Sequence, residues 1–311
     1  MLNQQQGRVI DPILTTFARG YLQNDLISSL IFPEVDVPVS GGQVITFGKE
    51  AFMLYDTQRV PGGSTTRIEI SYNGQPYALE NHALEVPVPD ELGRDAMIVP
   101  GIDLAQESLG VALDAIMLRR EYQAVQLASN AANYAASNKL ALSGVTQWSN
   151  AASTPKNDLV TAKAAIRAAT GKFPNVAVLP PGGIAKLDNH ALIRDRLKFT
   201  SSDSVNADML ARYFEVDKVV ECNAVYATSA NANMSDVWGN NVLFAYVAPA
   251  RGTARSARTP SFGYTYRLRG HPFVKVPYRD ENRESWVYGV HYERAPVIAG
   301  AGAGFLLQNV F

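Results

Sequence analysis

Absences narrow this chain before anything it contains. It has one cysteine, Cys222, among 311 residues, so no disulfide can close within it. Its 28 lysines and arginines face 29 acids, leaving a formal net charge of -1. Such a chain has no global positive field with which to condense nucleic-acid phosphate. Charged residues make up only 18% of it, which is little for a surface selected to stay soluble as a monomer. No stretch approaches the roughly 18 uninterrupted apolar residues of a membrane span. The opening MLNQQQGRVI carries no basic stretch followed by an apolar one, so neither an export signal nor a membrane contact is expected.

Catalytic chemistry is equally sparse. The four histidines, His82, His190, His271 and His291, have no ligand partner at i+2, i+3 or i+4, and a thiolate pair is impossible, which argues against zinc. There is no GxSxG elbow. The glycine pairs at 62–63 and 182–183 lack the Lys-Ser/Thr ending of a phosphate loop. Gly300-Ala301-Gly302-Ala303-Gly304 reads as a flexible surface loop, since no strand-turn-helix unit follows it. Asp90 and Glu91, beside Pro89, read as capping residues rather than an acid-base pair. Cys222 reads as a small apolar residue on a strand. No catalytic residue, cofactor or metal is expected.

The patterning points to an α+β chain. Asp11-Pro12 opens a short helix with Ile13, Leu14, Phe17 and Tyr21 at helical spacing, and Val35, Val37 and Val39 then alternate with Glu34, Asp36 and Pro38 as an edge strand or tether. From Gly41 to Pro89 the chain reads as a long two-stranded excursion that turns at Asn73-Gly74. Such a hairpin is marginal alone, so it and the loose arm before it must pack on neighbouring subunits. Pro100-Gly101 and Asp103 open the strongest signal, a 3-4 apolar spacing from Ile102 through Leu109, Leu113, Ile116, Ala124 and Ala135. Carried to about Asn138, this predicts one helix of roughly 50 Å. Arg120 interrupts the stripe and is expected to snorkel or pair with an acid. A second helix spans Lys156 to Thr170 and ends at Gly171. Strands follow at Val176–Leu179, Val216–Ala227 and Val242–Val247, with antiparallel strands from Ser261 onward.

This order of segments, with RVPGGSTTRIEISYNGQPYALENHALEVPVPDE, MLARYFEVDKVVECNAVYAT and FVKVPYRDENRESWVYGVHYERAPVIA, resembles the major capsid proteins of tailed bacteriophages over almost the whole chain. That fold is shared with encapsulins and the herpesvirus capsid floor. The resemblance implies an N-terminal arm at 1–40, an E-loop with its base strands at 41–89, and a P-domain with the spine helix at 90–150. It implies an A-domain at 151–264, whose first helix could belong to the P-domain, and C-terminal P-domain strands at 265–311. It implies a structural protein rather than an enzyme, self-assembling as hexamers and pentamers of an icosahedral head around double-stranded DNA. Portal, scaffolding and decoration proteins are the implied partners, and the implied place is the virion capsid, assembled in the host bacterial cytoplasm. Because Met1 lies only a few residues before the arm, any scaffold is expected to be a separate protein. Expected intersubunit contacts are Tyr55, Arg59, Arg67, Ile68, Ile70, Tyr72 and Tyr77 on the E-loop, and Ile13, Phe17 and Tyr21 on the arm.

The sequence leaves two alternatives, an encapsulin-type nanocompartment and, more remotely, a soluble α+β enzyme. Some relatives of this fold join E-loops to neighbours through lysine-asparagine isopeptide bonds. Here Lys49 is the only lysine before Lys139, and residues 51–89 have none. Arginine stays protonated and cannot replace the amine nucleophile, so a non-covalent shell is expected.

Overall fold

The structure is a computed structural model that describes residues 10–20, 26–43, 58, 76–96, 103–197, 205–249 and 261–311. In chain order the elements are α1 (Pro12–Gly20), α2 (Ser28–Ile31), β1 (Glu34–Val37), β2 (Gly41–Gln43), β3 (Pro76–Ala78), β4 (Glu80–Pro89), α3 (Asp90–Ala96) and α4 (Leu104–Ser129). Next come β5 (Lys139–Ala141), α5 (Pro155–Thr170), β6 (Val176–Leu179), α6 (Gly183–Asp188), α7 (Ala191–Leu197), α8 (Ala207–Phe214), β7 (Lys218–Glu221), β8 (Val225–Tyr226), β9 (Ser235–Asp236) and β10 (Val242–Ala245). The series closes with β11 (Gly263–Leu268), β12 (Phe273–Val274), β13 (Tyr278–Asp280), β14 (Ser285–Ile298) and β15 (Gly304–Gln308).

The spine helix α4 starts where its sequence says it should. The Asp103 carboxylate accepts the backbone N–H groups of Ala105 at 3.0 Å and Gln106 at 3.3 Å, satisfying first-turn donors that have no intrahelical partner. Leu109, Leu113, Ile116, Ala124 and Ala128 form its buried stripe. The helix stops short of Asn138, however. Tyr134 donates its hydroxyl to the Ala128 carbonyl at 2.6 Å, and the Asn133 amide donates to Leu127 O at 2.9 Å. Asn130 meanwhile accepts the Ala132 N–H. These side chains take over the terminal carbonyls and turn the backbone into short 3-10 pieces, so the helix has 26 residues and spans about 39 Å.

A six-stranded sheet is built on β14, which has 14 residues. It pairs antiparallel with β4 on one side and with β11, β12 and β13 on the other, while β1 runs parallel to β11 at the edge. The edge strand expected around Val35 and Val37 is therefore present, but the reading of residues up to 40 as a loose arm needs correction. Ile31 and Phe32 are fully buried and Ile27 nearly so. The buried Glu121 carboxylate accepts the N–H groups of Ile27 at 3.1 Å and Ser28 at 2.7 Å, and Thr265 donates its hydroxyl to Phe32 O at 3.0 Å. Apolar burial and these bonds make residues 27–37 part of the subunit core.

The second sheet runs β5-β15-β10-β6-β7. β6 and β10 are buried at every position, matching the continuous apolar runs of central strands. Leu159 and Ile166 of α5, Ile193 of α7, and Leu210 and Phe214 of α8 pack on it in one cluster. The segment at 265–311 does not stay together as expected. Its strands up to Ile298 join the first sheet, whereas β15 inserts between β5 and β10 of the second. The glycine-rich link between them is correspondingly no surface loop. Ala303 is buried, and a Cβ on Gly304 would meet the Phe262 ring at 2.5 Å, so glycine is there for close approach of backbone to ring. The strand expected at 216–227 also divides, into β7 and β8, which pair with different partners.

Candidate assembly surfaces

Helix α1 is fastened to the sheet by its first turn. Asp11 accepts the N–H groups of Ile13 at 2.9 Å and Leu14 at 3.0 Å, and its own N–H donates to Val274 O at 3.0 Å. Thr15 accepts Val274 N–H at 3.0 Å. Phe17 consequently turns inward, half-buried against a cluster containing Leu109, Leu113 and Val290. Ile13 points the other way and is 76% exposed. Of the expected arm contacts, then, Ile13 is open to a neighbour, Phe17 already packs within its own subunit, and Tyr21 lies outside the described residues.

The base of the excursion is a short antiparallel pair in which Gln43 faces Pro76 and Gly42 faces Tyr77. The pairing brings residues 41–43 and 76–78 side by side at the base. Tyr77 stacks on Tyr266 with centroids 4.5 Å apart and planes at 12°; burial raises both phenol pKa values, that of Tyr266 to about 12. Tyr77 thus anchors the base inside its own subunit. Tyr55, Arg59, Arg67, Ile68, Ile70 and Tyr72 lie outside the described residues.

Behind these surfaces sits a charged junction that only the three-dimensional structure reveals. Glu34 of β1 pairs through one oxygen with Arg120, which interrupts the α4 stripe as noted, and accepts the Tyr292 hydroxyl at 2.7 Å. Its other oxygen meets Arg267 at 2.7 Å, and Asp36 takes the Arg267 Nε at 2.7 Å. Burial works against the Arg267 charge, but Asp36 and Glu34 outweigh it and hold its pKa above the ordinary value. Arg294 is fully buried, donating to Gln123 Oε1 at 2.7 Å and Ile116 O at 3.1 Å, and burial lowers its pKa to about 10. The Gln123 amide donates in turn to Glu80 at 2.8 Å. Arm strand, spine helix and sheet are tied together by this network.

Several of the residues weighed for chemistry make packing and pairing contacts within the subunit. Among the described residues, no group of three or more His, Cys, Asp or Glu is placed to hold a metal. His190 contacts Ser153 at 3.1 Å in a buried pair, and His291 stacks on Phe273. Cys222 is fully buried, and burial followed by the nearby Glu121 carboxylate pushes its thiol up to about 12, far from a reactive thiolate. Asp90 and Glu91 open α3, and Asp90 pairs with Arg279 at 2.7 Å.

No family model matches the chain. It is 33% identical over 305 residues to the major capsid protein of Burkholderia phage BcepMu, covering 97% of each. A crystal structure of a phage-related protein from Bordetella bronchiseptica RB50 superposes with a TM-score of 0.85 at 42% identity, over 98% of this chain and 99% of that one. The encapsulin of Synechococcus elongatus PCC 7942 shares the fold alone, at 13% identity and a TM-score of 0.52 over 93% and 90% of the two chains. On this full-length kinship and this α+β capsid fold, the chain belongs to the family of phage major capsid proteins.

Proposed function

We propose that this chain is the shell subunit of a tailed-phage head, assembling as hexamers and pentamers into an icosahedral capsid around double-stranded DNA. The full-length match to a phage major capsid protein carries this reading. The near-zero charge fits containment of DNA without sequence-specific binding. The subunit acts with scaffolding and portal proteins in the host cytoplasm, and it performs no catalysis. Light scattering and negative-stain microscopy of purified protein test it: closed shells are expected, and a subunit that stays monomeric with scaffold supplied refutes the proposal. Shells filled with one protein cargo rather than nucleic acid would instead indicate a nanocompartment.

The E-loop supplies two further expected results. Replacing Ile68 and Ile70 together by Asp should abolish assembly while circular dichroism still reports a folded subunit, because two charges would enter a face meant for a neighbour. Unfolding of the isolated subunit would place those residues in the core instead. Mature particles boiled in denaturant should run as a single band near 33.8 kDa; a ladder of multimers that survives reduction would show covalent joining despite the lysine-free loop.

A further inference from the structure

Among the described residues, no strand pairs with the outer edge of β4. β4 has ten residues and pairs only with β14 among the described residues. Which of its backbone groups face outward follows from the ladder. Asp90 N–H donates to Glu284 O at 2.9 Å, and Lys275 N–H donates to the Gly289 carbonyl on the far side of β14 at 3.0 Å. Antiparallel pairs alternate between hydrogen-bonded and non-bonded, so the pairs Pro89–Ser285, Pro87–Val287, Glu85–Gly289, Ala83–His291 and Asn81–Glu293 are non-bonded. The amides and carbonyls of these β4 residues therefore point away from β14. The two prolines agree, since their missing N–H groups fall on the outer side, where an edge strand tolerates them. What remains is a set of outward donors at Asn81, Ala83 and Glu85, all on exposed residues.

We propose that this edge pairs antiparallel with β4 of a second copy, about a two-fold axis at Ala83. The proposal rests on the shell reading and names one of its contacts. Self-complementarity of the register is what favours a second copy. Centred on Ala83, the pairing sets Asn81 opposite the second copy's Glu85 and the small Ala83 side chains opposite each other. All outward donors of the segment then meet carbonyls. Centring on Glu85 would oppose two carboxylates, which destabilises a cross-strand pair, and would match Ala83 with Pro87. Centring on Asn81 would use Leu79, whose N–H already donates to Ser40 O at 2.8 Å. Pro87 and Pro89 end the ladder and stop it from propagating into open-ended edge association.

The test uses the full chain. Ala83→Cys should form disulfide-linked dimers on mild oxidation of assembled shells, because Cα atoms of a hydrogen-bonded antiparallel pair lie about 5.5 Å apart, within disulfide range. Glu85→Cys should not, and the native Cys222 is buried and does not compete. Ala83→Pro removes an outward donor from each copy and none that β14 uses. It should weaken the contact about 30-fold, at roughly one hydrogen bond lost per copy, while circular dichroism stays unchanged. Asn81→Glu should weaken it by charge repulsion, and adding Glu85→Asn should restore it. Normal shells from the Ala83→Pro chain, with no dimer from Ala83→Cys, overturn the pairing and leave the shell reading standing. Failure of the wild-type chain to form shells at all overturns both.

Discussion

Replacing Glu34 by alanine should destabilise the unassembled subunit by up to about 3 kcal/mol, the low end of what removing one partner from a buried ion pair costs, because the Glu34 side chain is itself 26% exposed. That one carboxylate serves Arg120, Arg267 and the Tyr292 hydroxyl. Arg120 is 6% exposed and Tyr292 fully buried, so neither recovers its lost partner from water. Asp36→Ala provides the comparison, because that carboxylate lies on the exposed side of Arg267 and an exposed pair contributes about 0–1 kcal/mol. Urea unfolding of both variants decides the matter: equal losses would mean that the junction is solvated and weak.

Gly263→Ala should be comparably damaging, by about 1–3 kcal/mol for overpacking and visibly in the yield of soluble subunit. A Cβ at this position would run into the Phe32 ring and lie 2.9 Å from the Val297 carbonyl. Neither can retreat. Phe32 is fully buried and packs on Phe262 with centroids 5.5 Å apart, and Gly263 is held in register opposite Ile298. Gly110→Ala on α4, where a Cβ meets nothing within 4 Å, should instead stabilise by up to about 1 kcal/mol. Thermal melts of the pair would contradict this packing if both shifted the same way.

Local signals carried much of the architecture. The 3-4 apolar spacing and Asp103 marked α4 and its start, Gly171 closed α5, and the unbroken Val176–Leu179 run marked a central strand. Arg120 was legible as a residue in need of an acid, but not of Glu34, which lies far away in sequence. The end of α4 escaped because it depends on Asn130, Asn133 and Tyr134 capturing backbone groups, a competition that apolar spacing does not register. Ile27, Ile31 and Phe32 are too few to show a period, so their burial was hidden. The departure of β15 to the second sheet is a long-range pairing with no local signature. Pro87 and Pro89 both lack an N–H on the same side of β4, a spacing that the apolar alternation of the returning strand did not single out. Its meaning emerged only with the register to β14.

The order in which the chain supplies its strands sets the timing of its folding. β14 is the strand that β4, β11, β12 and β13 all need, and β15 is interior to the other sheet, yet these two follow every other described strand in sequence. A nascent chain emerging from the ribosome can form its helices early, but neither sheet closes until residues 285–308 are free. Until then β4 lacks the partner that holds it straight, and β10 keeps one side unpaired. A chain still being synthesised thus has neither sheet complete until those last strands emerge.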